Sequence, residues 1–164
     1  MSPIRDHRKR LVLLLALLLA RPSPARAQDH RWGISVWGLS YHVDRSVDYD
    51  EVNWGLGVRH YFKPDKFFAE IDALRDSNRG LVVPLSAGAE FKVAPLPAGG
   101  KLSAVAALTL AYYQYPNRGT ADIKFGPVPG VTIGCGRIKA NVMAVLRKSS
   151  EPLAALTASL TIMF

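Results

Sequence analysis

Residues 154–164 alternate without interruption. Ala154, Leu156, Ala158, Leu160, Ile162 and Phe164 fall on one side, and Ala155, Thr157, Ser159, Thr161 and Met163 on the other. Successive side chains leave a β-strand on opposite faces, so a period of two with one oily side dictates a half-buried strand. Seven more segments of this kind precede it: residues 31–41, 53–62, 67–75, 82–93, 102–113, a weaker one between 121 and 133, and 138–146. In residues 53–62, Trp54, Leu56, Val58 and Phe62 oppose Asn53, Gly55, Gly57 and Arg59. Turn chemistry separates the segments, as in Lys63-Pro64-Asp65-Lys66 and in the Pro- and Gly-rich stretch 94–100. Pro127 and Pro129 interrupt the sixth segment. Proline donates no ladder hydrogen bond, so these two belong at an edge, a bulge or a local opening between strands.

The N-terminus has the pattern of a cleaved secretory signal. Arg5, Arg8, Lys9 and Arg10 precede a Leu-rich core at 11–20, and Ala25-Arg26-Ala27 forms an A-x-A site, which predicts cleavage after Ala27. Arg21 ends the apolar run well short of the roughly 20 residues a spanning helix needs. The rest, residues 28–164, is one domain. The whole chain has a net charge of +8, but the signal carries six basic side chains and one acid, so the domain has 15 basic and 12 acidic residues. The basicity is largely a targeting feature and gives no case for a nucleic-acid partner. Cys135, the single cysteine, cannot form a disulfide within the chain. No CxxC, HExxH, GxGxxG or P-loop pattern is present.

A secreted chain of short alternating segments that ends on an aromatic resembles the outer-membrane barrels of bacteria, whose C-terminal strand carries the assembly signal. The expected fold is all-β, an eight-stranded antiparallel transmembrane β-barrel, since tilted membrane strands run to about ten residues. An even strand number returns both ends to one side. Connections 44–52, 76–81, 114–120 and 147–152 then face out, and turns 63–66, 94–100 and 134–136 face the periplasm. Trp32, Trp37, Tyr41, Trp54, Tyr61, Tyr112, Tyr113 and Tyr115 suit an interfacial girdle, and His60 an interfacial position. Inward faces carry Arg59, Glu70, Asp72, Glu90, Lys92 and Lys139, which must pair in so narrow a lumen. Small inward residues (Ser86, Gly88, Ser103, Ala107, Thr109 and Ala111) leave room for a cavity in the outer half that could hold an acyl chain.

Three stretches then line up: Tyr41-His42 at the outer end of the first strand, Tyr49-Asp50-Glu51-Val52-Asn53-Trp54-Gly55-Leu56-Gly57 leading into the second, and Arg75-Asp76-Ser77-Asn78 at the outer end of the third. With Pro127-Val128-Pro129 they resemble the PagP family of lipid A palmitoyltransferases. The resemblance implies transfer of a palmitoyl chain from a phospholipid donor to lipid A at the outer membrane, by a monomer with no metal or organic cofactor. It marks His42, Asp76 and Ser77 as the catalytic residues. Acyl transfer needs a base for a hydroxyl and donors for an oxyanion. His42 could be the base, Asp76 its orienting partner, and Ser77 either the nucleophile or an oxyanion donor. Arg45, Arg79, Arg118, Arg147 and Lys148 could bridge lipid A phosphates. The alternatives are a non-catalytic barrel with a structural or adhesive role, and a lipid A or phospholipid deacylase.

Overall fold

The computed structural model describes residues 30–43, 49–77, 79–115, 119–146 and 153–164. The expected signal lies outside them, as do Arg45, Arg118, Arg147 and Lys148. Eight strands follow in order: β1 (Trp32–His42), β2 (Gly55–Lys63), β3 (Phe67–Arg75), β4 (Leu81–Pro95), β5 (Lys101–Tyr115), β6 (Thr120–Cys135), β7 (Ile138–Leu146) and β8 (Leu153–Met163). Each pairs antiparallel with the next and β8 returns to β1, closing an eight-stranded barrel. The fold is the expected eight-stranded antiparallel transmembrane β-barrel. β3 and β7 keep the limits that alternation set. β4, β5 and β6 run past theirs, because each continues pairing toward its turn or loop.

Physical chemistry is inverted relative to a water-soluble protein. Leu56, Ile71, Leu85, Leu108, Phe125 and Ile162 stand exposed on the outer wall, while Ser35, Arg59, Glu70, Asn141 and Thr161 are buried inside. Such a wall fits hydrocarbon, and closure pairs every strand on both sides over at least part of its length. Trp32, Tyr41, Trp54 and Tyr112 project outward as a girdle requires. Four other aromatics do not. Tyr61 is fully buried in the lumen, Trp37 donates its indole N–H inward to Asp72 at 2.7 Å, Tyr113 lines the interior, and Tyr115 shares its parity and stacks on it with centroids 6.1 Å apart. Each shares parity with polar neighbours, and its polar atom finds a partner there or lies on the lumen wall. His60 packs on the outer wall between Trp32 and Phe62, at centroid distances of 4.3 and 5.2 Å.

The half of the lumen nearest the chain termini is a packed polar plug. Arg59 Nη2 meets Glu70 Oε2 at 2.7 Å, and Nη1 lies 3.5 Å from Glu90 and 3.3 Å from Asn141 Oδ1. Lys139 Nζ reaches Glu90 at 3.0 Å, Tyr61 Oη at 2.7 Å and, at the rim, Asp65 at 2.9 Å. Tyr61 donates to Glu90, and Ser35 to Glu70. Lys92, expected inside, is exposed beyond Glu90, where the β4–β5 register shifts.

Two irregularities shape the other half. In β1 a bulge between Trp37 and Leu39 shifts the register against β8. It inverts parity, so Gly33 and Ser35 face inward below it, and Ser40 and His42 face inward above it. The second lies between β6 and β7. Their ladder runs from Cys135↔Ile138 to Gly130↔Met143 and stops, whereas the β5–β6 ladder continues through Pro129 and Pro127 to Thr120. The missing proline donors therefore fall on the β7 side. The wall there is made by side chains, with Val128 and Val145 both lining the interior.

A serine–histidine pair at the mouth of a luminal cavity

Above the plug the lumen opens into a cavity of roughly 250 Å³. That exceeds the roughly 150 Å³ apolar cavity that takes up benzene, so one aliphatic chain has room. Ser86, Ala107, Thr109 and Ala111 line it, and their small size creates the space. Ser103 is buried and Gly88 is half-buried against the Phe68 ring, and neither contributes to the wall. Phe68, Val82, Pro84, Val128 and Met143 make most of the wall apolar, and Glu70, Asp72 and Asp76 are its carboxylates.

His42, Asp76 and Ser77 all line this cavity at the rim opposite the chain termini. Ser77 Oγ lies 3.1 Å from His42 Nε2, so the pair predicted from sequence is in hydrogen-bond contact. The imidazole stacks on Tyr49, with centroids 4.2 Å apart and planes inclined by 18°. Asp76 adjoins Ser77, and its Oδ1 accepts the Gly80 N–H at 2.6 Å. Asp76 N–H also donates to Gly80 O at 2.8 Å, and Arg79 takes a left-handed φ of 66° between them. This carboxylate thus helps shape the turn that presents Ser77. Sequence reasoning gave it the imidazole as partner. Exposed Arg79 is the one described member of the basic loop set.

Two further residues complete the cluster. Asn53 Nδ2 donates to Ser40 Oγ at 2.7 Å and to Ser77 Oγ at 3.2 Å. Ser40 and Ser77 oxygens stand 3.5 Å apart, too far for a strong O–H···O bond. Backbone bonds hold the parts together: Ser40 N–H to Glu51 O at 2.9 Å, Asn53 N–H to Gly38 O at 3.2 Å, and Asp50 N–H to Ser77 O at 3.1 Å. An Arg75–Asp50 ion pair at 3.7 Å ties the same segment to the end of β3. Asn53 lay inside the stretch singled out from sequence. Neither it nor Ser40 had a local signal of function, because their partners come from other strands.

No family model matches the chain, and no curated protein sequence matches it. Among solved structures it is similar to a chain described as a de novo design of transmembrane β-barrels, at a TM-score of 0.60 and 14% identity, covering 84% of this chain and 98% of that one. This likeness concerns the fold: an eight-stranded, membrane-type antiparallel barrel.

Proposed function

We propose that this protein is an acyltransferase of the bacterial outer membrane, moving a palmitoyl chain from a phospholipid to lipid A. The observation that carries this reading is the Ser77–His42 contact of 3.1 Å at the mouth of a mostly apolar cavity inside the barrel. A hydroxyl beside an imidazole supplies the nucleophile and base of acyl transfer. A narrow cavity below it holds the chain and excludes water, and the plug gives that cavity a floor. The β6–β7 gap supplies a lateral path, because an acyl chain in the surrounding lipid can pass between the two strands beyond Gly130 and Met143, where their ladder stops. The resemblance in residues 41–42, 49–57, 75–78 and 127–129 names the substrates.

The same pair could hand the chain to water, as a deacylase does. Mass spectrometry of lipid A from cells producing the protein separates the possibilities. Transfer adds one C16 chain, and deacylation removes a chain. An unchanged spectrum, with a folded barrel verified by heat-shifted gel mobility, overturns both. If transfer is seen, His42→Ala and Ser77→Ala should each lower it at least about a hundredfold without altering the gel shift.

A further inference from the structure

We propose that Asn53 is a positioning residue that sets the direction of the Ser77–His42 hydrogen bond. The proposal rests on the acyltransferase reading and deepens it. A serine hydroxyl has one proton to donate and two lone pairs to accept with. Ser77 Oγ already accepts one N–H of the Asn53 amide at 3.2 Å, and the other amide N–H goes to Ser40 at 2.7 Å. Asn53 therefore offers Ser77 a donor and leaves the Ser77 proton unclaimed. Ser40 Oγ, 3.5 Å away, is a poor acceptor, so the well-placed destination is His42 Nε2 at 3.1 Å.

The amide cannot swap its ends at no cost. As it stands both N–H groups are used, and only the buried Oδ1 lacks a hydrogen-bond partner among the described residues. The reversed amide would strand two N–H donors in that position and would draw the Ser77 proton away from the imidazole. The amide thus turns a bare Nε2 toward Ser77 and places the imidazole proton on Nδ1, a buried atom whose desolvation works against this tautomer. Ser77 is then poised as a nucleophile. As its Oγ bonds to the ester carbonyl carbon, its proton passes to Nε2. When the carbon–oxygen bond to the phospholipid breaks, that proton leaves with the glycerol oxygen. The acceptor hydroxyl repeats the exchange in reverse and frees Ser77.

The test is Asn53→Asp, which keeps the shape and replaces a donor by an acceptor, beside Asn53→Ala, which removes both. Nitrogen-15 spectra of the full-length barrel in detergent micelles report the His42 tautomer without need of turnover. Wild type should show protonated Nδ1 and bare Nε2, and Asn53→Asp should shift that balance toward protonated Nε2. In turnover, Asn53→Asp should lower kcat at least about tenfold, a fraction of the effect of general-base catalysis, with KM little changed and a smaller loss in Asn53→Ala. The ratio of Asn53→Asp to wild-type activity should rise toward acid pH, where the protonated carboxyl regains a donor. A purely structural role would leave that ratio flat. Protonated Nε2 in wild type, or an unchanged tautomer and kcat in Asn53→Asp, would overturn the proposal. Absent acyl transfer with the expected tautomer would refute the enzymatic reading and leave the positioning role intact.

Discussion

Arg59→Met is the most demanding test of the polar plug. Arg59 is 2% exposed and pairs with Glu70 at 2.7 Å and with Glu90 at 3.5 Å, while its guanidinium carbon sits 4.6 Å over the Phe68 ring. Among these contacts the two cations, Arg59 and Lys139, balance the two carboxylates, Glu70 and Glu90, while Asp65 meets Lys139 at the rim and Asp72 accepts from the Trp37 indole on the cavity side. Methionine retains most of the packing and removes the charge. Glu90 keeps Lys139 at 3.0 Å, but Glu70 keeps the Ser35 hydroxyl and, among the described residues, becomes a buried charge without a counter-ion. Breaking a buried pair from one side costs about 3–5 kcal/mol, or roughly two to three and a half powers of ten in the unfolding equilibrium at about 1.4 kcal/mol per decade. Adding Glu70→Gln restores neutrality and should recover at least about half of that loss, because replacing both members of a buried pair is often nearly neutral. Urea unfolding in lipid vesicles, followed by heat-modifiable gel mobility, measures all three proteins. A single variant within about 1 kcal/mol of wild type, or a double variant no more stable than the single, would refute the account of the plug as a charge-compensated core.

Asp65 gives a pH prediction. Its turn lies outside the spanning wall, and burial alone would raise its carboxyl, but the Lys101 and Lys139 ammonium groups outweigh this and hold it below the ordinary range. A folded-state value below the unfolded one means that the stabilisation is present above the unfolded value, near 4, and is lost as pH falls through the folded value. The urea midpoint should therefore drop on acidification by an amount equivalent to at most about 1 kcal/mol, since the side chain is half exposed, and Asp65→Asn should remove that part of the pH dependence. Ala107→Met projects a longer side chain into the cavity, so mass spectrometry of the lipid product should show transfer of a chain shorter than C16 by a few carbons. Replacing Pro127 and Pro129 together by alanine restores two donors toward β7. The barrel should gain about 0.5–1.5 kcal/mol per new bond in urea, while acyl transfer slows through closure of the side opening.

Most of the wall was legible in the sequence because a barrel strand between tight turns has little freedom. Phe67–Arg75 and Ile138–Leu146 are bounded by turns at both ends or by a turn and a loop, and their alternation fixes which side chains point in. The small residues at 107, 109 and 111 likewise announced an empty region. What escaped was whatever depends on pairing across the barrel. Tyr61 and Trp37 read as girdle residues because aromatics favour interfaces, but Lys139 and Asp72 supply their polar atoms with partners inside. The bulge at Gly38 had no signal, since its backbone takes no left-handed φ and a Cβ there would meet nothing. Asn53 and Ser40 become neighbours only once β1, the approach to β2 and the end of β3 are folded together.

That bulge makes β1 two rulers joined end to end. Below Trp37 the strand is measured against the plug, and above Leu39 it is measured against the cavity mouth, one residue out of step. The surplus residue keeps both halves in step with the barrel: Ser40 faces Thr157 and His42 faces Ala155, both inside. Deleting Gly38 would remove the slip and the surplus together, so those pairs would survive. Straightening the strand at its present length would instead move every residue above the join one step along β8, turning His42 into the lipid and Tyr41 inside. The mouth therefore tolerates loss of that residue but not loss of the slip alone.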